Sequence, residues 1–302
     1  MDAETMIPPE IRDFDTFIIA YSGGKDSTAT LLTMLDCLPP ERVRIIHNPA
    51  GLADQPEVAD YITYIECELG VTGVTVERVQ AGDRPLPPMT RGGERPDYAL
   101  VGTLFEMVRL RGMWPSAHQR YCNVYLKQWP TALYARQFEN PVIISGQRAD
   151  ESKARMGLPV LSEDGSQSLP NDYRYPIYRP ILDWSEQDVW QFLRSRRILP
   201  NPVYNYQGRC GCWCCPMCHP REVLNFCRLH PNVAQVAADL EQEIDHTWQH
   251  RHSITDLLRQ AQAQMQLFEP QPRFAAVAGG GVPGAAGGGG GGDGGKEVRL
   301  RE

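Results

Sequence analysis

The sequence predicts an α/β protein built on a doubly wound parallel sheet. Two observations carry that expectation. Short apolar runs alternate with helical stripes through the first half of the chain. A glycine-serine turn, "YSGGKDSTA" at residues 21–29, joins the first run to the first stripe. Alternation of this kind gives parallel strands covered by helices, with ligands at the carboxyl ends of the strands.

Taken in order, Phe17–Tyr21 reads as a buried strand, followed by a helix over about Ser27–Leu38 with Leu31, Leu32 and Leu35 on one stripe. Val43–His47 is a second strand and Pro56–Leu69 a second helix. Val74–Val79 is a third strand, leading into a Pro/Gly/Arg-rich loop at 81–97. Helices are expected at Tyr98–Arg111 and Leu126–Phe138, and a strand at Pro141–Ser145. After a polar loop at 146–172, Asp183 or Ser185 can cap a helix over about Glu186–Arg196. Trp184 and Trp190 are expected in the core. A cysteine knuckle occupies 210–218, and 231–268 reads as one helical segment with few breakers. From about residue 279 the chain is glycine-rich and cannot bury enough apolar surface to fold. These features divide the chain into an α/β domain at 1–200, a Cys-rich segment at 201–230, a helical extension at 231–270 and a disordered tail at 271–302.

Composition narrows the function. A chain of 302 residues with 42% hydrophobic and 22% charged content is ordinary for a globular protein. No apolar run approaches the roughly 20 residues needed to span a bilayer, and the acidic N-terminus has no signal-peptide pattern. The expectation is a cytoplasmic chain with no membrane partner. Net charge of −7 excludes a nucleic-acid binder held by bulk charge, so such contact needs a local basic face or a partner protein. Five of the nine cysteines fall within residues 210–218. In a reducing compartment that spacing reads as a metal or iron–sulfur site before it reads as disulfides.

The motifs carry the chemistry. Glycines let backbone approach a ligand closely, and a helix N-terminus offers unpaired N–H groups and the positive end of a dipole. Ser22, Gly23, Gly24, Lys25, Asp26 and Ser27 therefore read as an anion site. The turn is shorter than the G-x-x-x-x-G-K-[ST] loop, and its lysine follows the glycine pair directly. A second stretch, "GQRADESKAR", follows an apolar strand and sets Arg148 and Arg155 around Glu151 and Ser152. Paired arginines there suit an oxyanion. A structural zinc site from Cys210, Cys212, Cys215 and Cys218, with His219 beside them, fits the knuckle alone as well as iron does. His246 and His250, four apart on an expected helix, lack a third ligand and fit a solvated face. Cys37, Cys67 and Cys227 lie on apolar helical stripes and are expected as small core residues.

The turn at Ser22–Ser27 resembles the SGGxDS PP-loop of the adenine nucleotide alpha-hydrolase superfamily, with its HUP-like fold. The stretch at Gly146, Arg148, Glu151, Ser152 and Arg155 resembles the G-x-R-x-x-E-S-x-x-R element of the phosphoadenosine phosphosulfate (PAPS) reductase family. This implies ATP held by Ser22 to Ser27, Gly146, Arg148, Glu151 and Arg155, with Lys25, Asp26 and Arg148 in catalytic roles and Mg²⁺ shared. "RYCNVYLKQWP" with G-C-x-x-C-P resembles members that hold a [4Fe–4S] cluster. That implies Cys122, Cys212 and Cys215 as ligands, with Cys218 and Cys210 competing for the fourth place. The spacing from Gly112 to Lys127 resembles the ATP pyrophosphatases of DNA phosphorothioation systems. Such enzymes would adenylate a substrate oxygen and support sulfur insertion into DNA or RNA, with a cysteine desulfurase and a DNA-binding subunit as partners. Two alternatives stand beside this: a PAPS or adenylyl-sulfate reductase, and a non-catalytic, zinc-stabilised nucleotide-binding subunit. The reductases' tail cysteine has no counterpart after Cys227, which weighs against the first alternative. Asp54 matches an acidic residue that the family places after its second strand, while His47-Asn48 replaces the acid expected at that strand's end.

Overall fold

Phe17, Ile18 and Ile19 stand in a row in the first strand, β1 (Thr16–Ala20), and none is accessible to solvent. A strand apolar on both faces belongs in the middle of a sheet covered from both sides. The computed structural model describes residues 7–69, 76–78, 102–166, 168–169 and 171–268. It places β1 between β2 (Val43–His47) and β4 (Pro141–Ile144), parallel to both. The sheet continues through β3 (Val76–Arg78) beyond β2, and through β6 (Ile177–Tyr178) and β5 (Leu161–Ser162) beyond β4. Its order is β3-β2-β1-β4-β6-β5. One edge departs from the expected parallel pattern: β5 runs antiparallel to β6. Among the described residues their connection holds only a short 3-10 turn, Asn171–Tyr173, and no crossover α-helix, so the chain returns antiparallel.

The order reverses between β1 and β4. The chain winds outward through β2 and β3, then returns to add β4 on the other side of β1. At such a switch point the loops leaving two neighbouring strands diverge and open a crevice.

Helices α1 (Lys25–Leu35) and α2 (Glu57–Leu69) cover one face, packing Leu31, Met34, Ile62 and Ile65 on Phe17 and Ile19. Beyond α3 (Leu104–Arg111), the other face receives α4, which runs through Tyr121–Asn123, a π-turn at Val124–Gln128 and Trp129–Ala135. Tyr134 and Ala135 of α4 meet Ile18 and Ile46. This helix starts five residues before the expected Leu126. Pro130 cannot donate the hydrogen bond an α-helix requires, and the wider turn just before it re-phases the helix. Helix α5 (Glu186–Ser195) is capped by Ser185, whose hydroxyl accepts from the Asp188 amide. Trp184 and Trp190, expected in the core, are only half-buried and meet Phe192 and Tyr204 edge to face.

The C-terminal half builds a second core around α3, α6 (Pro220–Leu229), α7 (Pro231–Ile244) and α8 (Ile254–Phe268). Trp213 of the cysteine knuckle is its centre, fully buried and stacked on Phe226 at 4.2 Å between ring centroids. Truncating a buried tryptophan to alanine typically costs about 3–5 kcal/mol, so this contact fixes the knuckle. The expected single helix over 231–268 is broken. Asp245 turns left-handed at φ +49° and residues 245–253 link α7 to α8. His246 and His250 are therefore exposed in a linker on either side of the buried Trp248 and share no helix face. Cys227 is buried as expected, whereas Cys37 is half-buried and Cys67 is exposed, off the Ile62–Ile65 face of α2.

The segments expected at 1–200 and 201–230, and 231–270 as far as Leu267, fall within one compact unit, Met1–Leu267. The loop at 81–97, the start of the Tyr98 helix and the tail at 271–302 lie outside the described residues. Among the described residues no helix is long and apolar enough to cross a membrane.

Candidate functional site

The glycine-serine turn leaves β1 and enters α1 within four residues. Gly23 takes φ +74°, a conformation that side chains with Cβ rarely adopt, and a Cβ there would stand 3.3 Å from Val58. Ser27 stitches the turn. Its hydroxyl accepts the Ser22 amide at 3.2 Å, lies 3.0 Å from the Ser22 hydroxyl and donates to the Gly24 carbonyl at 3.0 Å. Two residues far along the chain brace the turn from outside. Asn201, buried, donates to the Gly23 carbonyl at 2.9 Å, and the Tyr204 hydroxyl accepts the Lys25 amide at 2.8 Å. Lys25 reaches Asp26 at 3.2 Å and Glu186 at 3.4 Å. The result is a rigid helix N-terminus with a buried ammonium beside it, suited to an anion.

Across the switch point, the loop after β4 packs against the same helix. A Cβ on Gly146 would come within 3.0 Å of the Asp26 carbonyl, so only glycine permits this approach. Arg148 is 3% exposed, and its guanidinium donates to Asp26 at 2.6 Å, to Asp150, and to the Trp184 carbonyl at 3.2 Å. Burial presses against its charge, but Asp26 and its neighbours hold its pKa above the ordinary value. In this arrangement Arg148 braces Asp26. Arg155 pairs with Glu151, whose carboxylate also accepts the Arg148 amide at 2.8 Å.

The cysteine knuckle is pinned to the loop between β2 and α2. Trp213 donates from its amide to Ala53 and from its indole to Leu52, and Cys212 forms a bridge with Asp54. Gly211 donates to Gln55 at 3.2 Å. This brings Cys212 and Cys215 toward Cys122 on α4, and all three lie within electrostatic reach of Lys127. Burial pushes the Cys122 thiol up and carries Cys212 to about 12. Lys127 is pressed downward by burial, yet Cys212, Asp54, Cys122 and Cys215 hold it above its ordinary value. Cys215 is lowered by the thiol of Cys218 and by Arg209, while Cys218 is raised by the same contact. Cys210 also feels Asp54 and Lys127, and its thiol lies 3.7 Å from both the Ser22 carbonyl and the Asn201 amide nitrogen.

The expected set of Cys122, Cys212, Cys215 and Cys218 is not gathered into a cage. Among the described residues no three His, Cys, Asp or Glu side chains have the spacing to grip a metal ion. Cys218 turns to the Cys212 carbonyl at 3.7 Å and to Gln207, and Cys214 is buried in the core. The donor chemistry nevertheless fits a group that takes thiolates from separate segments. Three thiols from two parts of the chain surround one ammonium, which would offset the charge they acquire on losing their protons.

Both halves open into one cleft of about 350 Å³ at the carboxyl ends of β1, β2, β4 and β6. Ser22 and Gly211 line it, along with Asp54, Lys127, Gln147 and Arg179. That volume lies in the range of small-molecule sites. Arg179 donates to Gln147 at 2.7 Å and to Ser162 at 2.8 Å. His47 lies 3.0 Å from the Tyr21 carbonyl, and Asn48 accepts from Thr131 at 3.0 Å. Arg179, Gln147, Asn201 and Tyr204 were not singled out from the sequence. An arginine directly after an apolar strand is a signal that marks Arg179; Asn201 and Tyr204 carry no local motif.

The chain is similar to several known proteins. The phosphoadenosine phosphosulfate reductase domain family matches residues 16–218. The "uncharacterized 37.8 kDa protein in gpa 5'region" of Escherichia phage 186 is 28% identical over 251 residues, 73% of each chain. The adenosine 5'-phosphosulfate reductase of Allochromatium vinosum is 36% identical over 73 residues, 24% of this chain and 26% of that enzyme. The chain thus spans about a quarter of that reductase's length. The solved U34-tRNA thiolase NcsA from Methanococcus maripaludis, with its [4Fe-4S] cluster, is similar at a TM-score of 0.42 and 14% identity, over 93% of this chain and 83% of that chain.

Proposed function

The chain belongs to the phosphoadenosine phosphosulfate reductase domain family, and from that premise we propose that it is an ATP pyrophosphatase-type sulfurtransferase acting on nucleic acid. One observation carries the reading: the phosphate loop and the cysteine knuckle line the same cleft, through Ser22 and Gly211, with Lys127 between that cleft and Cys122, Cys212 and Cys215. A protein that only bound nucleotide would have no use for three thiols near Lys127.

In this reading ATP lies with its phosphates on the turn Ser22–Ser27. A substrate oxygen attacks the α-phosphorus, the bond to the bridging oxygen breaks, and pyrophosphate departs with its Mg²⁺. The Lys25 ammonium and the N–H groups at the start of α1 neutralise the charge that grows on the leaving group. Asp26, held by Arg148 at 2.6 Å, keeps Lys25 aimed along the loop. The terminal sulfur of a persulfide, supplied by a partner cysteine desulfurase, then displaces AMP from the activated atom, and a second thiol cleaves the resulting S–S bond, leaving sulfur on the acceptor and a disulfide behind. Cys122, Cys212 and Cys215, with Cys218 or Cys210, would hold a [4Fe–4S] cluster that supplies sulfur-handling and redox chemistry beside the cleft. A DNA-binding subunit is the second partner in this scheme.

Lys25→Ala tests the loop. The variant is expected to keep its fold and lose ATP-dependent pyrophosphate release by about 100-fold or more, the size of effect seen when one charge-stabilising group is removed. Full release by that variant would overturn the assignment. A second reading, an adenylyl-sulfate reductase, is favoured by the local match to the Allochromatium enzyme. It predicts sulfite release from adenylyl sulfate and a thiol reductant, with no pyrophosphate formed.

A further inference from the structure

A second cavity, of about 490 Å³, lies beside the main cleft. Arg111, His118 and Arg120 line it, and among the described residues none of those lining it is acidic, on a chain whose net charge is −7. The Arg111 guanidinium lies over the Tyr121 ring at 4.2 Å and faces that of Tyr125 at 5.5 Å. Both rings are buried, so they act as a platform that holds this cation at the cavity wall. Arg120 and His118 are exposed at the mouth.

The two cavities share their walls. Asn123 of α4 lines both, and Lys127, one helical turn further on, lines the main cleft. On the facing side, Ser168 lines the basic cavity while Ser166 and Leu169 line the main cleft. Ser166 donates to Gln128 at 2.9 Å, tying that loop to α4. The cavity of Arg111, Arg120 and His118 therefore meets the main cleft at a lip of Asn123 and Ser168. One nucleotide about fills a cleft of that size, so an acceptor has to approach from outside it.

Resting on the function proposed above, we propose that the basic cavity receives the backbone of a single-stranded nucleic acid, and that the strand presents its acceptor atom across the Asn123–Ser168 lip. Cations that match phosphate, set in a concavity, suit an extended flexible backbone better than the convex backbone of a duplex. The location also answers how a chain of net negative charge reaches a polyanion: the contact is local.

The test is fluorescence anisotropy of a labelled, mixed-sequence single-stranded DNA of about twelve nucleotides, within the usual span of single-strand sites, on the full chain. ATP retention by the wild-type protein is measured in parallel. Arg120→Glu, at an exposed position, is expected to weaken strand binding about tenfold. It should also reduce the slope of log affinity against log salt by about 0.7, the share of one phosphate contact. Arg111→Gln, checked for folding by circular dichroism, is expected to do the same. Wild-type affinity in both variants overturns the proposal, and so does a preference for duplex over single strand. If the wild-type chain holds ATP but binds the strand more weakly than about 100 µM, the weak end of non-specific binding, the cavity is excluded and the nucleotide reading stands. Arg120-dependent strand binding without ATP retention supports the cavity and sinks the nucleotide reading.

Discussion

Gly146 lies so close to α1 that an added Cβ would stand 2.9 Å from the Thr30 hydroxyl and 3.0 Å from the Asp26 carbonyl. Gly146→Ala must therefore shift α1 or the loop after β4, and overpacking of this kind costs about 1–3 kcal/mol. Asp26 is the carboxylate shared by Lys25 and Arg148, so nucleotide affinity is expected to fall along with melting temperature. Calorimetry with and without ATP checks both; an unchanged melting temperature would show that the helix yields freely. Asn201→Ala removes the donor to the Gly23 carbonyl and the acceptor of the Val203 amide. Leaving buried groups unpaired costs about 1–3 kcal/mol each, measurable as a lower urea midpoint. These two residues also mark how far the site is legible in sequence. Gly146 stands in a contiguous stretch with Arg148 and Glu151, each at a fixed offset from a strand end. Asn201 acts on a loop 178 residues away, and nothing local to "LPNPVYN" records that partner.

At the scale of elements, one side chain caps the break between α7 and α8, which Trp248 and Gln249 also tie to the knuckle. Glu241 is 5% exposed and its carboxylate accepts the amides of Trp248 at 2.7 Å, Ile254 at 3.0 Å and Thr255 at 3.0 Å, along with the Thr255 hydroxyl at 3.0 Å. It thus caps α8 from within α7. Glu241→Ala leaves three backbone donors unpaired and is expected to destabilise the chain by about 3 kcal/mol or more. Chemical denaturation measures this, and a loss below about 1 kcal/mol would mean that water replaces the carboxylate. The sequence reads as continuous helix here because 245–253 holds neither glycine nor proline; the turn comes from a captured carboxylate and a left-handed aspartate, which leave no periodic trace. The capped start of α5 was legible, because Ser185 and Asp188 form a cap within four residues. The π-turn of α4 was not, although Pro130 supplies its cause.

For the whole molecule, the strand–helix alternation correctly indicated parallel strands around a switch point, and the antiparallel β5 escaped because two-residue strands carry no pattern. The convergence of Cys122, Cys212 and Cys215 near Lys127 is a property of the assembled chain: Cys122 comes from one side of the sheet, and the knuckle is carried there by the second core. Protein purified without oxygen is expected to hold about four irons with matching sulfide, and Cys122→Ser to lose that iron. One zinc and no iron, unchanged in Cys122→Ser, would favour the local site of Cys210, Cys212, Cys215 and Cys218.

The two outside braces on the phosphate loop also set an order of events during synthesis. Asn201 and Tyr204 reach partners 178 and 179 residues earlier in the chain. A ribosome adding about 5–20 residues per second needs roughly ten to forty seconds to cover that gap. Throughout that interval the first loop made has neither brace, so an incomplete nascent chain lacks the finished anion seat. The knuckle follows within a few residues of the braces, and the seat and the thiols of the knuckle are therefore completed almost together.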